Sequence, residues 1–384
     1  MSAARIRWSL GVVALALAIP VAVSIARILP LGYDFRAYWL AADHLMQGTS
    51  MYPGLDAPLG QPDEFHYLPQ VAIPFVVFLP LGIDAAARVW LVLELVLAAA
   101  VGYQLIRPLP HAARPWAAAA YVLFLPLVLE IVLGNVDLLS LALALLAWHW
   151  RERAYAPVIP YAAAIGMKFL PLVLLPFYLA AGYWRTVLRA FAFGLAVLLI
   201  TSPLVWRPMF FALIPRFLDT TWVRLHVERE DPEWLARIVW SDALPLVLAV
   251  GSAGLAAVFG WKARHDRVRE TEWHHLALAL SPYLVPFGFT WTTFLITSLP
   301  LFVLTLGRAL RLADARTRAV AVAGLAFCWL AMQAVQVHVL WPLVAHMAGV
   351  VGLVVIALLL MRLETAQTLG RSTPRSRATS TASA

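Results

Sequence analysis

Residues 84–106 read DAAARVWLVLELVLAAAVGYQLI. Past Asp84, only Arg88, Glu94 and Gln104 interrupt the apolar character of this run. As an α-helix it rises about 34 Å at roughly 1.5 Å per residue, enough for the hydrocarbon core of a bilayer, about 30 Å thick. Its apolar residues are not confined to one stripe, which suits a helix surrounded by lipid or protein. Further runs of the same kind lie outward on both sides, at 8–30, 116–133, 136–150, 155–167, 169–183, 187–206, 241–261, 273–288, 289–307, 319–336 and 338–361. With 84–106 they predict about twelve crossings, several of them short and therefore tilted or broken. The run 70–81 carries Pro74 and Pro80 and is expected to dip into the membrane without crossing. The first run is too long for the apolar part of a signal peptide and is read as a retained helix.

Composition supports the same class. The 384 residues are 62% hydrophobic and 13% charged, against about 25% charged in a soluble domain. A water-soluble globular enzyme is excluded, because a single core cannot bury that much apolar surface. The lone cysteine, Cys328, rules out an intramolecular disulfide and any cysteine-rich metal site. The formal charge of +8 is assigned to basic cytoplasmic loops rather than to nucleic-acid binding. With both termini inside, the inner loops and tail hold 20 of the 29 basic residues but 6 of the 21 acids, as the positive-inside rule requires. The expected organisation is all-α: one transmembrane unit over residues 1–362, outer loops at 31–69 and 207–240, and a disordered cytoplasmic tail over 363–384.

Polar chemistry concentrates in those outer loops. Asp34 stands four residues after the first run, in Gly32-Tyr33-Asp34-Phe35-Arg36-Ala37-Tyr38-Trp39. A carboxylate among aromatics at a membrane surface is partly desolvated, which raises its proton affinity. That suits a general base acting on a hydroxyl; the alternative is an N-cap for a short interfacial helix around residues 38–46. Asp137 is read either as an acid favoured by the dipole of the helix it starts or as a substrate contact, together with Asn135. Glu94 and Glu130 lie inside apolar runs and receive no single role.

Five blocks in order carry a resemblance. Asp34-Phe35-x-x-Tyr38-x-x-Ala41-Ala42 leads to Leu45-x-x-Gly48-x-x-x-Tyr52. Phe65-His66-Tyr67-Leu68-Pro69, Gly134-Asn135-Val136-Asp137-Leu138-Leu139, Ile165-Gly166-Met167-Lys168-x-x-Pro171 and Leu280-Ser281-Pro282-Tyr283 follow. Together they resemble glycosyltransferase family 87, polytopic enzymes of the GT-C fold that use a polyprenyl-phosphate sugar. Two departures stand out. Leu68 replaces a proline of the family pattern, and residues 286–291 lack the Asp or His that members often carry after the Ser-Pro element.

The resemblance implies a GT-C-type helical bundle in a plasma membrane, expected to be bacterial. The expected reaction moves a sugar, mannose in the family, from a polyprenyl-phosphate donor to a glycolipid or glycan hydroxyl on the extracytoplasmic face. Asp34 matches the outer-loop aspartate proposed as base. The lipid phosphate needs cations at the membrane surface. Lys168 is the foremost candidate, with snorkelling at a helix end as its structural alternative. Arg36 and Arg207 are further candidates, and Tyr38 and Tyr67 either line the sugar site or belong to an aromatic belt. No cofactor is expected beyond the lipid-linked co-substrate. No metal-ligand set is visible, though a divalent metal stays open. A transporter or flippase of a lipid-linked sugar, an outer-face lipid–glycan ligase and a non-catalytic relative are the alternatives.

Overall fold

Gly, Pro and charged turns cut the apolar chain into a succession of helices. The computed structural model describes residues 3–28, 31–49, 51–52, 65, 67–168, 174–208, 243–266, 269–281, 292–333 and 340–372. In chain order the helices are α1 (Ala3–Ile28), α2 (Tyr33–Gln47), a 3-10 helix (Pro69–Leu81), α3 (Ile83–Ile106), α4 (Arg114–Val122), α5 (Leu125–Leu133), α6 (Asp137–His149) and α7 (Val158–Met167). Then come α8 (Leu174–Ala180), α9 (Trp184–Pro208), α10 (Ala243–His265), α11 (Arg269–Leu280), a second 3-10 helix (Thr292–Ser298), α12 (Leu299–Ala309), α13 (Ala315–Met332) and α14 (Leu340–Ser372). No strand occurs among the described residues.

The chain is an all-helical membrane protein. On α3 the buried stripe is Trp90, Glu94, Ala98, Val101 and Leu105, while Val92, Leu95 and Val96 are more than half exposed. The stripe follows helical spacing, and the exposed face is apolar, as contact with lipid requires. Ile83–Ile106, Trp184–Pro203, Ala315–Met332 and Ala345–Glu364 are each long and apolar enough to cross. Helices α4 and α5 make a fifth candidate as a pair bent by 49°, where Pro126 interrupts the expected straight run. Helices α6 and α7, of 13 and 10 residues, rise only about 20 and 15 Å. Helix length among the described residues therefore supports four or five spans rather than the twelve expected.

Two other expectations meet the structure directly. The run at 70–81 forms a 3-10 helix; Pro74 and Pro80 each remove a backbone donor from it. It packs against α2, the short helix expected near residues 38–46. The tail boundary shifts. Helix α14 continues to Ser372, past the expected disorder from 363, and Glu364 receives Arg308 Nη1 at 2.7 Å. Residues 373–384, the outer loop from 209 and residues 286–291 lie outside the described residues.

Two apolar cores result. The larger joins α3 to α14. The smaller is aromatic and sits between α2, the first 3-10 helix, α3 and the α5–α6 turn; Phe35, Tyr38, Phe65, Phe75, Trp90 and Val136 are buried in it. The candidate site lies on this second core.

Candidate active site

The α5–α6 turn begins with Gly134, which ends α5 at φ 70°. A left-handed residue there is most often glycine, because a Cβ raises the cost. Close packing adds to the demand: a Cβ on Gly134 would stand 3.0 Å from both Phe35 Cβ and Trp90 Cδ1, and 3.4 Å from Gly32 Cα. Gly32, at φ 71°, caps α2 and donates its N–H to the Val132 carbonyl at 2.9 Å. Two glycines facing each other thus bring the start of α2 against the α5–α6 turn.

That approach joins Asp34 to Asn135. Asp34 is not the N-cap of α2, since Gly32 occupies that position. Its Oδ2 instead accepts Asn135 Nδ2 at 2.8 Å. The Tyr38 hydroxyl donates to Asn135 Oδ1 at 3.0 Å, and the Val136 N–H donates to the same oxygen at 2.7 Å. With its oxygen occupied by two donors, the amide can present only its NH2 to Asp34.

Asp137 opens α6 beside this group and is fully buried. Lys168, the residue that ends α7, places its Nζ 2.5 Å from Asp137 Oδ1. The ammonium also lies 5.7 Å from the centroid of the Tyr67 ring. Tyr67 is fixed in turn by the Tyr52 hydroxyl, which donates to its carbonyl at 2.8 Å. Tyr38 stacks on Phe75 and tilts against Tyr67, with centroids 4.9 and 5.1 Å apart.

Burial pushes the Asp34 carboxyl up to about 6; the nearby Lys168 and the Asn135 hydrogen bond pull it down, and Asp137 pushes it up. The group is thus ionised at neutral pH yet holds a proton more readily than an ordinary carboxylate, a range suited to general-base work. Burial also pushes the Tyr67 phenol up to about 12 and raises that of Tyr38. Both hydroxyls keep their protons and remain donors.

Seven of the eight expected site residues have described side chains, and six of them meet here. Asp34, Tyr38, Tyr67, Asn135, Asp137 and Lys168 converge from four separate parts of the chain. Arg36 turns to Asp84 on α3, at 3.6 Å on the surface, and makes no described contact with the cluster. The Arg207 side chain lies outside the described residues. Glu130, left without a role above, proves part of the site: its Oε1 accepts the Leu138 N–H at 2.9 Å. Its signal in the sequence is only a carboxylate four residues before a turn glycine. Glu94 is buried on α3, and its Oε2 has no hydrogen-bond partner among the described residues. Among the described residues no three His, Cys, Asp or Glu side chains are grouped to hold a metal ion.

No curated protein and no solved structure matches the chain. A family model does: glycosyltransferase family 87, over residues 65–282. The matched region contains Tyr67, Asn135, Asp137 and Lys168, and it starts after Asp34. It covers more than half of the 384 residues. The chain therefore belongs to glycosyltransferase family 87 and is a membrane glycosyltransferase.

Proposed function

We propose that this protein moves a sugar, mannose, from a polyprenyl-phosphate donor to a hydroxyl of a glycolipid or glycan on the extracytoplasmic face of the plasma membrane. The reading rests on one observation: a half-buried carboxylate, Asp34, hydrogen-bonded to Asn135, lies within electrostatic reach of a buried ammonium, Lys168, paired with Asp137. The opposite end of α6 leads to Arg151, which pairs with Glu272. Positive charge at that end is consistent with the cytoplasmic side.

The division of labour follows from charge. Asp34 takes the proton of the acceptor hydroxyl as that oxygen attacks the anomeric carbon. The anomeric C–O bond to the lipid phosphate breaks at the same time, and its electron pair leaves with the phosphate. One displacement inverts the anomeric centre. Lys168 supplies positive charge to the departing phosphate, with Asp137 holding the ammonium in place until the donor arrives. Tyr67 offers its partly exposed ring to the sugar, while Tyr38, buried with its hydroxyl given to Asn135, supports the site from behind. Arg36 and Arg207 are second-rank phosphate contacts.

The donor class is tested with purified protein in nanodiscs. It is offered short-chain polyprenyl-phosphate mannose or GDP-mannose, each with a glycolipid acceptor extract. The proposal expects free polyprenyl phosphate and a new glycolipid from the first donor alone. Transfer from the nucleotide sugar would overturn it. Movement of intact lipid-linked sugar across the bilayer without cleavage would favour a flippase, the reading that the buried Glu94 and Glu130 keep in play.

A further inference from the structure

We infer that Glu130 is a positioning residue for this reaction: by holding the first turn of α6 it fixes the hydrogen bond that Asn135 gives to Asp34. The inference rests on the reading of Asp34 as the base. The N-cap position of α6 is Val136, whose side chain cannot cap the helix, and an uncapped start leaves backbone N–H groups unpaired. Glu130 supplies the missing acceptor from the preceding helix. Its Oε1 takes the Leu138 N–H, and its backbone carbonyl takes the Gly134 and Asn135 N–H groups at 2.9 and 3.3 Å. One residue therefore holds the turn from both sides, with Asn135 at one attachment and Val136 and Asp137 between it and the other. The side chain is fully buried, so water cannot replace the hydrogen bond cheaply if it is lost.

The surroundings of Asp34 allow this role to be separated from a direct charge effect. Asp34 is faced by Lys168 beyond α7, Asp137 on α6, Tyr38 on its own helix and Tyr67 ahead of the 3-10 helix. On α3, Asp84 is taken up by Arg36. Glu94 on α3 and Glu130 on α5 lie within electrostatic reach of Asp137, and neither is among the groups that act on Asp34. If Glu130 worked as a nearby negative charge, removing it would make Asp34 easier to ionise. If it works by holding the turn, removing it loosens the Asn135 hydrogen bond and makes Asp34 harder to ionise. The two roles shift Asp34 in opposite directions.

The test reads Asp34 without requiring turnover. Its titration is followed by the infrared carboxyl band that disappears in Asp34→Asn, in full-length protein in nanodiscs, beside the pH profile of kcat/KM. Glu130→Leu should raise the midpoint by about one pH unit, the scale of one lost hydrogen bond to a charged group, and the acid limb of the rate profile should follow. Glu130→Gln keeps the acceptor oxygen and should restore the wild-type midpoint. Asn135→Ala should reproduce the Glu130→Leu shift, and the double variant should add nothing further. A downward shift in Glu130→Leu, no shift, or a Glu130→Gln variant that behaves like Glu130→Leu would overturn the inference. Should Glu130→Leu not fold, the Gln variant and Asn135→Ala still decide. An active Asp34→Asn enzyme would sink the base assignment instead, and the infrared midpoints would remain readable.

Discussion

Asp34 performs its proposed role because its environment is unfavourable to its charge. Burial lifts its proton affinity to about 6 from an ordinary 3.8. Activity that needs the ionised base should therefore fall as pH drops through about 6, seen as an acid limb in kcat/KM. Stability has the opposite dependence. The folded state holds the Asp34 proton more tightly than the unfolded chain, so this group's contribution to stability is lost as pH rises from about 4 to about 6. Asp34→Asn should then be at least as stable as the wild type at pH 7.5 by thermal unfolding, while losing roughly 10²- to 10⁴-fold in rate. Lys168 and Asp137 pose a different problem, because a buried pair broken on one side leaves an uncompensated charge. Lys168→Met should cost about 3–5 kcal/mol. Lys168→Met with Asp137→Leu should recover much of that stability, yet still show a raised KM for the lipid donor. Recovery of both would confine the pair to a structural role.

At the scale of elements, the site depends on how closely α2 approaches the α5–α6 turn. Gly134 and Gly48 share a left-handed backbone, but a Cβ on Gly48 would meet nothing within 4 Å. Gly134→Ala adds close contacts with Phe35 and Trp90 to the backbone strain that both substitutions carry. It should lower the unfolding temperature clearly more than Gly48→Ala, with overpacking contributing about 1–3 kcal/mol. An equal effect of the two would show that the glycine contact does not hold the site. Much of this region was legible beforehand. The apolar run at 84–106 became α3, the aromatic stretch after Asp34 became α2, and the blocks around Asn135, Asp137 and Lys168 came together. What escaped was tertiary. A capping acceptor is normally sought at the helix start, so Glu130, six residues before the Val136 cap position, carried no local mark. The cap reading of Asp34, held as the alternative to a base, rested on aspartate suiting that position; the cap is Gly32, which turns left-handed where it meets Gly134. The bend between α4 and α5 likewise arises at Pro126 rather than in the hydropathy, whereas the shortness of α6 and α7 was already visible in the runs 136–150 and 155–167.

For the whole molecule, the reading requires the cluster and the basic helix ends to lie on opposite sides of the membrane. Cys328 is buried, so a Cys328→Ser background provides a clean start for labelling. A single cysteine at Gln47, the exposed last residue of α2, should react with an impermeant thiol reagent in intact cells. One at Arg153, in the α6–α7 loop, should react only after permeabilisation; the reverse pattern would invert the topology and move the site to the cytoplasm. The central claim is that a family 87 glycosyltransferase uses Asp34, steered by Asn135 and set beside the Lys168–Asp137 pair, to activate its acceptor. Its most direct test compares wild type with Asp34→Asn for transfer from polyprenyl-phosphate mannose to acceptor at pH 7.5, with folding checked on the same samples. The account predicts product from the wild type and almost none from the folded variant. Equal product from both would contradict it.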